Sequence, residues 1–475
     1  MPVDTPATTK RAGWTFAITA AALFMTALDN LVVTMALPNI RSHLHASLGS
    51  LEWTVSAYTL TFATLLLTGA SLGDRFGRRR LFIGGLLVFT LGSAGAALAP
   101  TVGWLVTARA VQGLGAAVVA PLTLTLLVGA VSLERRPLAL GAWGAIGGLA
   151  VATGPVVGGA IVEGVSWQWI FWLNVPIGVV LLPLAYSHLG ESRGNGRRLD
   201  PAGLGLASAG LFGVVYGLVR STSLGWGSAQ VSGPMVAGLV LLVLFGLVER
   251  QLAEPMLPLR LFANRSFSAS NLASLFMSFG MFGSIFLLAQ FLQIVQHYSP
   301  LQAGLRTLPW TAMPMFVAPV AGLVTQRLGG RPVLATGLAL QAVGLVWLAA
   351  VTSPTVAYAD LVPAFIVSGL GMALFFAPMA NTVLGAVKAG EEGIASGVNN
   401  AIRELGGVLG IAVLASVFSG AGSYASGQAF VNGLVPAICV GAGVVALAVV
   451  AALAIPPTRD RQTAARVDRV LQPAN

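Results

Sequence analysis

Four charged residues lie inside long apolar runs of this 475-residue sequence, where charge is costly. They are Asp29, Arg109, Arg403 and Glu404. A charged side chain at the centre of a lipid bilayer costs about 2.5–3.5 kcal/mol or more, so each must meet water, a partner or, for an acid, a proton. Buried groups of this kind can relay protons or bind cations. They can equally form fixed structural ion pairs.

The two acids leave different alternatives open. Asp29 is either a proton or cation site or an acid that is hydrogen-bonded near the end of a helix. Glu404 shares a polar strip with Asn399, Asn400 and Arg403. It is either a second protonatable group in a central cavity or one partner of an ion pair at a helix end. Because adjacent helical residues point about 100° apart, Arg403 and Glu404 are predicted to serve different surfaces.

The composition places these residues in a membrane protein. Hydrophobic residues make up 56% of the chain and charged residues only 9%, and the mean hydropathy is +0.84. Soluble domains carry about 25% charged residues, so the chain could not cover a water-facing surface. A bilayer-spanning helix needs about 20 mostly apolar residues. The sequence predicts an all-α, polytopic fold with fourteen such helices, whose cores are 14–36, 51–71, 81–99, 103–126, 138–162, 168–187, 203–220, 232–249, 268–292, 303–325, 333–351, 361–386, 396–418 and 431–454.

The distribution of Lys and Arg supports this count. If the N-terminus is cytoplasmic, 21 of the 26 basic residues lie in cytoplasmic segments, 3 lie outside and 2 fall within spans. This is the positive-inside bias of membrane proteins, and dropping one span would destroy it. Both termini are therefore predicted to be cytoplasmic. The net charge of +10 follows from the same bias, so no nucleic-acid partner is expected.

Residues for enzymatic or metal chemistry are missing from the sequence pattern. The one cysteine, Cys439, lies in an apolar run, and the four histidines, His43, His45, His188 and His297, show no His-x-x-His or HExxH spacing. Of these, His43 and His45 alone are close enough in sequence to bind a metal together. There is no Walker A loop, no Ser/His/Asp arrangement and no large soluble segment. We expect neither an enzyme nor a bound metal or cofactor.

A faint internal repeat predicts the domain organisation. Residues 69–80 read GASLGDRFGRRR and residues 321–332 read AGLVTQRLGGRP, which aligns Gly77 with Gly329. Each stretch follows the second helix of a six-helix set. The predicted units are two six-helix halves, 1–187 and 268–454, two inserted helices within 188–267, and a cytoplasmic tail, 455–475. Such halves around a central site are a known transporter architecture.

Five stretches resemble motifs of the major facilitator superfamily, in its fourteen-span drug:proton antiporter branch. The loop motif ends in GDRFGRRR at 73–80, and the arginine motif is LxxxRAVQGLGAA at 105–117. The antiporter motif is TGPVVGG at 153–159, the first-helix motif is LDNLVVTMALP at 28–38, and WQWIFWLNVPIG at 167–178 is typical of the same branch. The chain departs from the family pattern at Ala70, Leu31 and Thr34.

The resemblance implies a proton-coupled exporter of lipophilic or amphipathic drugs, including cationic ones. The alternative on the same fold is a proton-coupled symporter or a lipid or metabolite transporter. The implied location is the bacterial inner membrane, and a monomer is expected. Protons would be the coupling ion, with Asp29, Arg109 and Glu404 as the coupling residues. The residues implied for gating are Asp74, Arg75, Gly77, Arg78, Arg79, Gly154, Pro155, Gly158 and Gly159.

Some of these assignments have a structural alternative. Arg109 could form a fixed pair, and the Gly-Pro stretch of span five could be a generic kink. Three acids near predicted outer span ends, Glu52, Glu163 and Asp360, are expected to be solvated. An apolar, aromatic cavity with few polar groups suits lipophilic substrates. Its predicted lining is Trp143, Phe282, Phe286, Gln290, Gln293, Trp310, Asn381 and Asn400.

Overall fold

The computed structural model describes residues 6–132, 136–193, 200–252, 255, 257–388 and 391–456. Within these residues the chain is helical almost throughout, which confirms the all-α membrane fold. The predicted tail lies outside the described residues from 457 onward. The helices before residue 189 are α1 (Pro6–Leu44), α2 (Leu48–Phe76), α3 (Arg78–Ala97), α4 (Val102–Ala130), α5 (Arg136–Gly164), α6 (Trp169–Trp172) and α7 (Asn174–His188).

The remaining helices follow in the same up-and-down manner. A short 3-10 helix, Leu259–Ala263, precedes α10, and a π-helical turn, Phe291–Val295, continues it. The α-helices are α8 (Pro201–Leu224), α9 (Ala229–Gln251), α10 (Arg265–Gln290), α11 (Pro300–Thr311), α12 (Met313–Leu328), α13 (Gly330–Val351), α14 (Tyr358–Leu384), α15 (Glu392–Ala421) and α16 (Gly427–Leu453).

Fewer than fourteen described helices meet a criterion of length and hydropathy for membrane spans. Among the described residues, twelve helices are long and apolar enough to cross a bilayer, and thirteen if α2, which bends by 51°, counts as one span. The tenth predicted span, 303–325, is divided between α11 and α12 at Ala312. Pro309 and Pro314 flank this break, and each removes a backbone donor. The count of fourteen stays a prediction.

The internal repeat is visible in the backbone. Gly77 has φ of 110° and Gly329 has φ of 85°, values that only glycine adopts without strain. Each ends one helix and begins the next. We call the end of the bundle that holds Gly77 the Gly77 face. The opposite end, which holds the turn at residues 45–47, is the α1–α2 face.

Close helix packing depends on small residues. A Cβ atom at Gly115 of α4 would lie 2.7 Å from the carbonyl oxygen of Gly85 and 2.8 Å from the Cα atom of Phe89, both on α3. On the other side of the bundle, a Cβ atom at Gly283 of α10 would lie 2.7 Å from the carbonyl oxygen of Gly410 on α15. These helices therefore touch through their backbones, as membrane helices commonly do.

The helices α8 and α9 pack on each other, and α8 also packs on α2 and α15. The Trp53 ring of α2 lies 5.7 Å from the Phe212 ring of α8, and Ser221 hydrogen-bonds Ser416 of α15 at 2.8 Å. The pair thus contacts helices from both ends of the sequence. The division into 1–187, 188–267, 268–454 and 455–475 stays a prediction.

The Gly115→Ala variant should test the backbone contact between α3 and α4. Backbone atoms cannot move aside as a flexible side chain can, so we expect a loss of about 1–3 kcal/mol of stability. The measurement is the thermal unfolding midpoint of the purified protein in detergent. The matched control is Gly103→Ala on the same helix, where a Cβ atom meets nothing within 4 Å. Equal midpoints for the two variants would contradict the packing argument.

Candidate functional site

A buried ion pair between α1 and α4 forms the centre of the site. Asp29 is 1% exposed and Arg109 is 0% exposed, and Arg109 Nη1 contacts Asp29 Oδ2 directly. Arg109 Nε donates to the carbonyl oxygen of Thr54 at 3.1 Å. Its guanidinium also lies 4.4 Å from the centre of the Tyr58 ring, a cation–π distance. The pair therefore joins α1, α2 and α4.

Three further polar side chains complete this network. Gln112 Nε2 donates to Asp29 Oδ1 at 3.2 Å and to Ser93 Oγ at 2.7 Å, and its Oε1 accepts from Arg109 at 3.0 Å. Asn174 Nδ2 donates to the same Asp29 Oδ1 at 2.7 Å. Since Ser93 lies on α3 and Asn174 on α7, the Asp29 carboxyl is connected to four other helices.

The network defines the charge of Asp29 in this conformation. Both of its oxygens accept hydrogen bonds, and one accepts from a guanidinium, so the carboxylate is the form that these donors stabilise. Arg109 Nη2 is buried and has no hydrogen-bond partner within the described residues. The geometry fits a fixed structural pair, and it also fits a proton site in which protonation of Asp29 would release the arginine.

Glycines let the helices approach closely enough to build the network. A Cβ atom at Gly113 would lie 3.1 Å from the Cβ atom of Thr61, so α2 can bring the Tyr58 ring against Arg109. A Cβ atom at Gly92 would lie 2.9 Å from the backbone nitrogen of Gln112, next to Ser93. The same close approach that packs the helices also aligns their polar groups.

Glu404 lies at a narrow cavity beside this network. It is 6% exposed, its Oε1 lies 3.5 Å from Arg403 Nη2, and its Oε2 has no hydrogen-bond partner among the described residues. The prediction that Glu404 and Arg403 serve different surfaces is therefore wrong, because the long arginine side chain reaches back to its neighbour. The cavity is small, with a volume of about 10 Å³ in this conformation. Its lining is Asn30, Thr34, Val55, Thr59, Phe282, Glu404, Gly407 and Ile411.

The cavity and the ion pair are neighbours in the structure. Asn30, which lines the cavity, follows Asp29 directly on α1. Tyr58 of α2 lies within electrostatic range of Asp29, Arg109 and Glu404. A change in the charge of Asp29 therefore alters the electrostatic potential near Glu404, because the interior has a low dielectric constant.

The other predicted cavity residues do not line this space. Phe286 and Trp310 are fully buried between helices, and the Trp310 ring lies 6.2 Å from the Phe365 ring. Trp143 is half-buried and donates to Thr123 Oγ1 at 3.2 Å. Of the remaining polar candidates, Asn381 is exposed and Asn400 is half-buried.

Polar contacts close the α1–α2 face. Gln293, on the π-helical turn after α10, donates to the carbonyl oxygen of Met35 on α1 at 3.1 Å. Gln290 accepts a hydrogen bond of 2.6 Å from Tyr424. The Tyr424 ring in turn stacks against Arg41 of α1, with 3.4 Å between the guanidinium carbon and the ring centre. These residues connect helices from the beginning and the end of the sequence.

The glycine motif of α5 closes the same face. Glu163 accepts from Ser299 Oγ and from the backbone nitrogen of Leu301 at 3.0 Å. Gly159 contacts the backbone of Pro300, and Gly304 of α11 contacts the backbone of Pro155. On its other side, the motif packs on α1, where Gly154 meets Leu31 and Gly158 meets Val32. The motif is thus a packing surface between α1 and α11.

The loop after α2 carries a second charge cluster. Asp74, one of the residues implied for gating, lies in the last turn of α2 and pairs with Arg78 at 2.8 Å. The acid at the start of α3 is Glu191, which accepts from the backbone nitrogen of Arg79 at 3.1 Å. Glu191 also lies 3.7 Å from Arg80. A carboxylate suits a helix N-terminus because the backbone amides there point outward. Arg75 is exposed.

The sequence missed some of these residues and misplaced another. Asn174 and Gln112 lie inside quoted motifs, so their positions held a signal, whereas Ser93 and Glu191 stood out in no pattern. Glu52 was expected to be solvated. Instead it is fully buried, and no described residue donates a hydrogen bond to either carboxyl oxygen. Glu163 and Asp360 are exposed, as expected.

Comparison with known proteins identifies the family. The Major Facilitator Superfamily model matches residues 19–411 and 270–472. The chain belongs to the Major Facilitator Superfamily. The chain is 35% identical over 407 residues to the multidrug resistance protein Stp of Mycobacterium tuberculosis, and this alignment covers 85% of the chain and 75% of that protein. It is 39% identical over 417 residues to the cephamycin export protein CmcT of Amycolatopsis lactamdurans, with 86% and 85% covered.

Further relatives agree with this assignment. The puromycin resistance protein of Streptomyces alboniger is 36% identical over 421 residues, with 86% of this chain and 82% of that protein covered. Among solved structures, a peptide transporter POT in complex with sulfate has a TM-score of 0.67 at 16% identity, with 93% and 94% covered. A bacterial homologue of the human lysosomal transporter Spinster has a TM-score of 0.66 at 14% identity, with 93% and 96% covered. The chain is therefore a transporter with the major facilitator fold.

The transporter's buried pair gives a testable prediction. Arg109→Gln should leave Asp29 as an uncompensated buried charge and cost about 3–5 kcal/mol of stability. Adding Asp29→Asn to this variant should recover part of the loss, because no buried charge then remains. The measurement is the fraction of each purified variant that stays monodisperse after heating. Strictly additive losses in the double variant would contradict the direct coupling of the two side chains.

Proposed function

We propose that this transporter exports lipophilic or amphipathic drugs, cationic ones included, in exchange for protons. The proposed orientation puts the Gly77 face and both termini in the cytoplasm and the α1–α2 face outside a bacterial cytoplasmic membrane. The Lys/Arg bias of the sequence supports this orientation. The proposed transport unit is a monomer. The cytoplasmic charge cluster around Asp74, Arg78 and Glu191 would act as the latch on the inner side.

The relatives support the export of drugs and antibiotics. Their names refer to multidrug resistance, cephamycin export and puromycin resistance. These compounds differ widely in chemistry. The cavity beside Glu404 exposes mostly apolar surface and one carboxyl, and opening of the bundle would widen it. Such a surface suits chemically varied compounds because apolar contacts are not directional.

The observation that carries the proton-coupling proposal is the Asp29–Arg109 network. A proton on Asp29 cancels the charge that holds Arg109, and the donors from Gln112 and Asn174 then lose their best acceptor. The free guanidinium must find a new partner, so the helices α1, α2, α4 and α7 would rearrange. Protonation thereby favours one conformation of the bundle over the other, which is what alternating access requires.

The variant Asp29→Asn tests the coupling role. We expect the initial rate of gradient-driven export to fall about tenfold or more, because the amide cannot change charge. The assay is uptake of ethidium into inside-out vesicles with an acidic lumen. Asp360→Asn, an exposed acid on α14, is the matched control and should keep the native rate. Native export that persists at the same rate after the gradient is collapsed would overturn the proposal, as would movement of ethidium in the opposite direction.

Glu404→Gln tests the role of the cavity carboxyl. A charge in a low-dielectric cavity attracts a cation strongly, so the apparent affinity for tetraphenylphosphonium should fall about tenfold. The affinity for neutral chloramphenicol should change by less than about twofold, since a neutral compound carries no net charge for the carboxylate to attract. The measurement is inhibition of ethidium transport by each compound. An equal loss of affinity for both compounds would show that Glu404 is structural.

A further inference from the structure

Glu52 is a buried acid that the proposed transport cycle does not use. It lies on the second turn of α2 next to the α1–α2 face and is 0% exposed, and neither oxygen has a hydrogen-bond partner in the part of the chain that the structure describes. The other two buried acids of the candidate site, by contrast, contact polar side chains. Asp29 accepts from Arg109, Gln112 and Asn174, and Glu404 contacts Arg403. A carboxylate without any partner is too costly to bury, so Glu52 holds a proton in this conformation.

The cationic and titratable groups around this end of α2 are engaged elsewhere or point to solvent. Arg41 stacks on Tyr424, and Arg109 bonds Asp29 and the carbonyl oxygen of Thr54. Arg220 of α8 donates to Tyr216. The elements packed against α2 carry Arg41, Asp29, His43 and His45 on α1 and its turn, Arg109 on α4, Tyr216 and Arg220 on α8, and Arg403 and Glu404 on α15, with Tyr424 after α15 and, at the Gly77 face, Arg78, Arg79 and Arg80 on α3.

The burial of Glu52 depends on closure of the α1–α2 face. Tyr424 lies within electrostatic range of Glu52, and it bridges Arg41 of α1 to Gln290 of α10. Burial keeps the pKa of the Tyr424 phenol above its ordinary value, so the hydroxyl stays neutral and donates to Gln290. When α1 and α2 move away from α10 and the α15–α16 connection, these contacts separate. Water then reaches the end of α2.

We propose that Glu52 is an outer proton-binding site that makes closure of the α1–α2 face depend on the pH outside. Closure buries the carboxyl and requires it to take up a proton, and opening lets it release that proton on the same side. Because the proton enters and leaves on one side, Glu52 does not carry the coupled proton. Instead, its protonation at acid pH outside stabilises the closed α1–α2 face, and we call this effect the lock. The inference rests on the proposed function for its orientation.

Thermodynamic linkage gives the size of the effect. If closure takes up one proton, the ratio of closed to open molecules rises about tenfold for each unit that the pH falls, over the range in which the exposed carboxyl is ionised. Glu52→Gln has nearly the shape of the protonated acid and cannot ionise. In this variant, the ratio of closed to open molecules should lose the roughly tenfold change per pH unit. The α1–α2 face should then stay closed at alkaline pH.

The experiment measures closure directly by pulsed electron paramagnetic resonance. Spin labels are placed at exposed Ser42 on α1 and exposed Thr355 before α14, in the full chain with Cys439→Ser, in lipid nanodiscs without substrate. The distance distribution is recorded from mildly acidic to mildly alkaline pH. The native chain should open as the pH rises. Glu52→Gln should stay closed, whereas Glu52→Asp, which can still ionise, should open as the native chain does.

Controls separate this inference from the proposed function. Asp360→Asn, also near the α1–α2 face, should open with the native pH dependence. If Glu52→Gln opens with the native pH dependence, or if the native distances do not change with pH, the lock is overturned. The two ideas can fail separately. If Glu52→Gln opens as the native chain does while Asp29→Asn has lost gradient-driven ethidium export, the lock is overturned and the proposed function stands. Monodisperse elution of each variant shows that it is folded.

Discussion

The structure depends on the cost of burying charge in an apolar interior. An arginine at 0% exposure is tolerable only if it has acceptors, and Arg109 finds them in Asp29, Gln112 and the carbonyl oxygen of Thr54. This requirement fixes how α1, α2 and α4 lie relative to one another. Ser93 and Asn174 extend the constraint to α3 and α7. One ion pair thus orients five helices, and any change in its charge must be transmitted to all of them.

The glycines supply the geometry that this constraint needs. Polar side chains as short as Ser93 and Asn174 can meet a carboxylate only if the helix axes are close. Gly92 and Gly113 permit that approach near the pair, and Gly159 and Gly304 permit it where α5 meets α11. The second contact closes the α1–α2 face rather than building the pair. Glycine therefore permits close helix packing around the polar network in one place. In another place it permits a contact between α5 and α11 that has to separate when the α1–α2 face opens.

Much of the fold could be predicted because it follows from local properties of the chain. Hydropathy located the helices, and the sequence repeat aligned Gly77 with Gly329, both of which have positive φ values. The tenth span was predicted as continuous and is broken at Ala312, since hydropathy does not register the backbone donors that prolines remove. Asp29, Arg109 and Glu404 could be selected because charges inside apolar runs are rare. The side chains that contact these three residues could not be predicted in the same way.

By itself the sequence determined a polytopic helical membrane protein, the three interior charges of the candidate site and the motifs of its family. Tertiary structure alone decided that Asp29 meets Arg109 across 80 residues, that Arg403 reaches back to Glu404, and that Glu191 rather than Asp74 lies at the start of α3. It also decided that Glu52 is buried instead of solvated. The reason is physical. Hydropathy and motif spacing are properties of neighbouring residues along the chain, whereas the burial of a polar group depends on which distant helices pack against it.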